Sequence, residues 1–212
     1  MDGLDELKRA GTVPLDYAAV SIMLGSYKSP KDKVSRMEAS GDLIRLKKGL
    51  YLVAAKHTNE LYSQELIANH LYGPSYVSLE TALWQYGLIP ERVYLIRSMT
   101  TKRAKNFATP VGDFEYTKVP GDYFQVGLRQ VIINDRYVFL MATPEKALCD
   151  LVSSAPGLRI QSAKAMRGYL DQDMRIDLSE IEHWDGDIIK QAIRFGKKKR
   201  ELALLGEVLN AQ

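Results

Sequence analysis

The chain has 212 residues, 46% hydrophobic and 26% charged, with a net charge of +3, a composition typical of globular proteins and a length that favours two folded units. No apolar run approaches the roughly 20 residues of a bilayer-crossing helix, and the opening Met1-Asp2-Gly3-Leu4-Asp5-Glu6 is too acidic for a signal peptide, so a cytoplasmic protein with no membrane partner is expected. The single cysteine, Cys149, allows no internal disulfide and excludes cysteine-cluster zinc sites.

Leu4 and Leu7 suggest a short opening helix that stops near Gly11. Between residues 15 and 25, Leu15, Ala19, Ile22 and Met23 recur at helical spacing, and Gly25 stands where a C-cap belongs. After the polar link Ser26-Tyr27-Lys28, Ser29 can act as N-cap and Pro30 takes the first helical position. This second helix runs to about Ser40 and ends at Gly41. Its Val34 and Met37 form a narrow stripe facing the previous helix, Ser35 and Arg36 fall opposite, and Lys31 and Lys33 flank the stripe. The period then changes: Ile44-Arg45-Leu46-Lys47 alternates apolar with basic, Lys48-Gly49 is a turn, and Leu50-Tyr51-Leu52-Val53 is a second strand. Helix, turn, helix and basic hairpin, in that order, predict a winged helix-turn-helix over residues 1–56.

Beyond residue 57 the pattern predicts a mixed α/β domain, so the whole chain reads as α+β. A helix spans Glu60 to Leu71, another runs from Leu79 to Tyr86 with Ser78 as its N-cap, and Val93 to Met99 is a strand. Short alternating runs between Lys105 and Met141, separated by Gly112-Asp113, Gly121-Asp122 and Asn134-Asp135, predict an antiparallel sheet. Thr143-Pro144-Glu145 opens a helix, and from about residue 157 the chain is nearly all helical. The polar stretch Lys56-His57-Thr58-Asn59 is apolar-poor, which predicts few contacts across a boundary between domains 1–56 and 57–212.

Charge placement points to the partner. Residues 26–58 hold eight lysines and arginines against three acids, a local net charge of +5, the electrostatic footprint of a phosphate-binding surface. A helix fits the major groove, so Lys31, Lys33, Ser35 and Arg36 are the expected base and phosphate contacts, with Arg45, Lys47 and Lys48 along the backbone or the minor groove. Two further basic clusters, Arg97 with Lys102, Arg103 and Lys105, and Lys197-Lys198-Lys199-Arg200, read as solvated faces.

Signals for catalysis are poor. The sequence has no Gly-rich phosphate loop and no nucleophile elbow. His57, His70 and His183 are scattered, and Cys149 lies among leucines as a small core residue. Asp171 with Asp173, and Asp185 with Asp187, sit at helix breaks where aspartate caps and turns are expected rather than a metal site. Asp113, Glu115 and Lys118 have the types of a nuclease triad, but on a strand Lys118 points away from Glu115. No catalytic residue, cofactor or metal is therefore expected. A nucleotidyltransferase would need paired acids soon after Gly25-Ser26, where a basic helix follows instead. The alternative of a winged-helix-guided nuclease or nucleotidyltransferase is thereby weakened.

Three stretches resemble the AbiEi antitoxin family of type IV toxin–antitoxin, or abortive infection, systems. They are the hairpin Leu43 to Tyr51, the segment Ser75-Tyr76-Val77-Ser78-Leu79-Glu80-Thr81-Ala82-Leu83 leading to Tyr86-Gly87-Leu88-Ile89-Pro90, and Thr143-Pro144-Glu145-Lys146-Ala147-Leu148-Cys149-Asp150-Leu151. The resemblance covers residues 12–152 and implies an N-terminal domain that binds its own promoter and represses its operon. It also implies a larger domain that counteracts a nucleotidyltransferase-like toxin encoded nearby.

Overall fold

The computed structural model describes residues 3–210 except Ser26 and Glu182, and only the backbone of Gly3 and Leu4. The expected roles of Met1, Asp2, Ser26 and the Leu4 side chain lie outside the described residues.

The N-terminal part runs α1 (Gly3–Lys8), β1 (Leu15–Asp16), α2 (Tyr17–Met23), α3 (Pro30–Ala39), β2 (Leu43–Lys47) and β3 (Leu50–Val53). Its sheet has the order β1-β3-β2, antiparallel throughout. The strand β1 was not anticipated: Leu15 pairs with Tyr51 in the sheet instead of opening a helix. The helix begins two residues later, where the Asp16 carboxylate accepts the Ala19 amide at 2.7 Å. That shift rotates the buried face. Val20 and Leu24 point inward and Ala19 and Met23 pack against the same core, while Ile22 is 80% exposed, so of the expected stripe Ile22 alone faces out. On α3 the expected stripe holds, with Val34 and Met37 both buried.

Hairpin β2–β3 has an irregular register that decides its role. Arg45 faces Tyr51 and Lys47 faces Leu50, so Leu46 is a bulged extra residue. Leu43 enters the small N-terminal core, whereas Ile44 and Leu46 face the larger core of the chain, and the bulge turns Lys47 to that same side. On β3, Tyr51 and Val53 face the small core while Leu50 and Leu52 face the large one, as the two-residue period of a strand requires. The hairpin is thus the wall shared by both cores. Gly11 makes a second close approach. It has φ +60°, and a Cβ there would lie 2.0 Å from the Tyr137 hydroxyl of the larger part, so the turn after α1 accepts no side chain.

After the short α4 (Ala55–Thr58) come α5 (Gln64–Leu71), β4 (Ser75–Val77), α6 (Leu79–Gln85), β5 (Leu95–Thr100), β6 (Lys105–Thr109), β7 (Gly112–Lys118), α7 (Gly121–Phe124), β8 (Leu128–Ile133), β9 (Tyr137–Ala142) and α8 (Pro144–Ser154). The six strands order as β6-β7-β5-β4-β9-β8. The sheet is mixed rather than antiparallel, because β5 pairs parallel with β7 and β4 parallel with β9. Alternation along a strand reports which face is buried, not which neighbour it takes, so those crossovers could not be read from the pattern. The helical end comprises α9 (Ala163–Gly168), a π turn at Tyr169–Asp173, a 3-10 turn at Leu178–Glu180, α10 (Gly186–Phe195) and α11 (Lys199–Asn210). No helix among the described residues is long and apolar enough to cross a membrane.

The stretch expected to be poor in contacts is well bonded. His57 Nε2 lies 2.7 Å and Lys56 Nζ 2.9 Å from Asp42 Oδ1, tying α4 to the loop after α3. The Tyr62 hydroxyl accepts the Ala55 amide at 2.6 Å and donates to the Val53 carbonyl at 3.1 Å.

Candidate nucleic-acid interface

With Val34 and Met37 inward, α3 leaves Lys31, Ser35 and Arg36 exposed on one side. Arg36 Nε donates back to the Asp32 carbonyl at 3.3 Å, which keeps that guanidinium close to the helix while its remaining donors stay free for an anion. Ser29 does not cap the backbone; its hydroxyl donates to Asp32 at 2.7 Å. Lys33 is half-buried, its ammonium 4.8 Å from the centre of the Tyr27 ring.

On the hairpin the three basic residues have different surroundings. Arg45 pairs with Glu38 of α3 at 2.7 Å and lies over the Tyr51 ring, which locks hairpin to helix, and Tyr51 and Glu38 together raise its pKa. Lys48 is exposed at the turn, where Gly49 has φ +78°. Lys47 turns inward. Its ammonium donates to the Leu71 carbonyl at the end of α5 and lies 5.9 Å from the Phe107 ring. Partial burial, together with Lys102 and Lys105, depresses its pKa. The structure therefore gathers Lys31, Ser35, Arg36, Arg45 and Lys48 around α3 and the hairpin, sets Lys33 at their edge, and places Lys47 at the junction between the two cores.

That junction holds a grouping the linear reading separated. Lys105 lies 4.7 Å from the Phe107 ring and Lys102 5.3 Å from the Tyr72 ring, so three lysines, from β2, the β5–β6 connection and the start of β6, share two aromatic faces. Arg103 is exposed beside them. Sequence showed the Lys102–Lys105 cluster but not its proximity to the hairpin. Arg97 belongs elsewhere, forked between Glu80 at 2.6 Å and Glu115 at 2.7 Å.

The second and third of the stretches quoted for the family resemblance meet in the interior. Ser78 Oγ donates to Asp150 Oδ2 at 2.6 Å, and Lys146 Nζ lies 3.4 Å from Asp150 Oδ1, with both charged side chains fully buried. Lys146 also donates to the Tyr123 carbonyl at 2.9 Å, and burial lowers its pKa. Ser78 thus anchors α6 to α8 rather than capping α6, while Thr143 does cap α8, accepting the Lys146 amide at 3.3 Å.

The candidate acidic sites are placed as follows. Asp185 accepts the amides of Asp187 and Ile188 at the start of α10, Asp187 pairs with Lys190 at 2.9 Å, and Asp171 and Asp173 are exposed on the π turn. Glu115 is held by Arg97. The Cys149 thiol is fully buried, and its pKa is pushed up by that burial, which makes it a poor nucleophile.

The sequence matches no protein-family model and no curated protein. Among solved structures, it is similar to the crystal structure of RV2827C protein from Mycobacterium tuberculosis, with a TM-score of 0.51 and 14% identity over 97% of this chain and 80% of that one. The likeness is one of fold.

Proposed function

We propose that this chain is a DNA-binding transcriptional regulator that acts as the antitoxin of a type IV toxin–antitoxin system. In this reading residues 1–56 form a winged helix-turn-helix that reads its own promoter. The larger domain counteracts a nucleotidyltransferase-like toxin encoded nearby, and the protein works in the cytoplasm without turnover of its own. One observation carries it: α3 turns Ser35 and Arg36 outward, opposite its buried stripe, with Lys31 exposed at the flank, beside a hairpin that offers Arg45 and a free Lys48. An outward basic face on a helix flanked by a basic hairpin suits the major groove and the adjoining backbone. The lysines gathered at Tyr72 and Phe107 would extend the same positive surface beyond the hairpin. The antitoxin role rests on the resemblance of the hairpin and of the joined Ser78 and Asp150 segments to the AbiEi family.

Fluorescence anisotropy of promoter DNA across a salt series tests the DNA-binding claim. About five phosphate contacts give a slope of about −4 to −5 in log affinity against log salt. A slope near zero would sink it. The same DNA should stay uncut in magnesium or manganese, and cleavage would favour the enzyme alternative. Growth rescue on co-expression with the neighbouring toxin gene tests the antitoxin role.

A further inference from the structure

Half of the large apolar side chains that stand exposed among the described residues gather at one place: Leu61, Trp84, Tyr94 and Leu95. Leu61 and Trp84 line a cleft of about 450 Å³ between the start of α5, α6, the segment leading into β5 and the β6–β7 turn. Tyr94 and Leu95 lie between two more of its lining residues, Val93 and Ile96. Apolar residues exposed singly are ordinary, but a cluster of them rimmed by polar groups marks a contact surface. A water needs about 10–15 Å³ by a comparable measure, so the cleft has room for an inserted side chain.

The lining decides what enters. Its uncharged polar groups are already used within the chain. The Tyr62 hydroxyl is bonded to the backbone of Val53 and Ala55. Thr81 Oγ1 donates to the Leu95 carbonyl at 3.2 Å and accepts the Arg97 amide at 2.9 Å, and the Gln64 side chain donates to the Val111 carbonyl at 2.8 Å. Trp84, Val93 and Ile96 are left to meet an apolar occupant. Leu61, at 95% exposure, projects into solvent from the rim of the same cleft. One surface thus carries both an apolar projection and an apolar recess, which is what a two-fold pairing of identical surfaces requires. The charges agree with that symmetry. Arg92 lies 5.4 Å from the centre of the Tyr94 ring, and the adjacent Glu91 is taken by Arg175. Glu65 accepts only from neutral groups, the Ser63 hydroxyl at 2.8 Å and the Gln85 amide at 2.7 Å. Neither Arg92 nor Glu65 has an ion-pair partner among the described residues, and both line the cleft, so a rotated second copy can set each against its opposite.

We propose that this face is a self-association surface, at which a second copy of the chain inserts its Leu61 beside Trp84 and receives Leu61 in return, with Arg92 and Glu65 paired across the rim. Tryptophan, tyrosine and arginine, the types that dominate the energetics of such contacts, are all present here. The surface stands independently of the DNA-binding reading. Sedimentation velocity of the full chain across a concentration series, without DNA, should show a species of twice the chain mass that dissociates on dilution. Leu61→Asp alters a side chain already in solvent, so the fold is kept, and it should weaken self-association about tenfold or more. Arg92→Glu and Glu65→Arg should each weaken it, and the two together should restore it, because exchanging the charges recreates the pair. Ile132→Asp, at an exposed apolar position on β8, should leave it unchanged. The proposal fails if the parent keeps the mass of one chain at every concentration, which would assign the cleft to a different partner. It also fails if Leu61→Asp associates as tightly as the parent, if the double charge exchange is no tighter than the single ones, or if Ile132→Asp is as damaging as Leu61→Asp.

Discussion

Lys146 and Asp150 are fully buried and depend on each other, so removing one leaves an uncompensated interior charge. Asp150→Ala should therefore cost about 3–5 kcal/mol of stability, whereas the joint change Lys146→Met/Asp150→Leu should recover most of that loss. Urea unfolding of both variants decides the matter, and a single variant as stable as the parent would contradict the pairing. Asp42 makes a pH-dependent contribution. The Ser40 hydroxyl, Lys56 and His57 hold its carboxyl well below the ordinary value of 3.8. Because folding lowers this pKa, the stabilisation is complete above 3.8 and is lost as pH falls through the lower folded value. Asp42→Asn should thus lower Tm at neutral pH, and the gap from the parent should close as pH drops below 3.8. A gap that stayed constant from pH 7 to pH 3 would show that the carboxylate charge is not what matters.

At the level of elements, the hairpin separates two lysines that are adjacent in sequence. Lys48 is free at the turn, and Lys47 is bonded to the end of α5. Under the proposed DNA-binding role, Lys48→Glu should weaken binding to all sequences and flatten the salt slope by about one unit. Lys47→Ala should chiefly lower thermal stability, by about 1 kcal/mol for the lost hydrogen bond. Equal effects of the two on DNA affinity would refute this division. Much of the architecture was legible in the residues, and the misses share a cause. The α3 stripe, the hairpin and the Thr143 cap follow from local spacing and capping chemistry. The bulge at Leu46, the parallel β5–β7 pairing and the gathering of Lys47 with Lys102 and Lys105 are set by long-range packing. The strand β1 was lost because two residues are too few to show a period. Ser78 was read as a cap because its partner lies 72 residues away.

For the whole molecule, the shared wall sets what each part can do alone. Leu46, Leu50 and Leu52 belong to the larger core, although they lie within residues 1–56. Cutting the chain after residue 56 would expose all three leucines, at about 1.5–3 kcal/mol for each side chain. The isolated N-terminal piece should therefore unfold or associate, while a chain keeping both cores stays monodisperse. Circular dichroism and light scattering of the two would show it, and a stable, monomeric 1–56 fragment would refute the inference. A division of labour between promoter binding and toxin suppression is better tested by point variants of α3 within the intact chain. The β3 strand has a last consequence, in the currency of inheritance. Four successive residues, Leu50 to Val53, are all buried, two against each core. A solvent-facing strand lets every second position drift, but here no position is neutral. Under the proposed DNA-binding role, lineages that recognise different operators should therefore vary the outer face of α3 and the Lys48 turn while this stretch of β3 stays apolar.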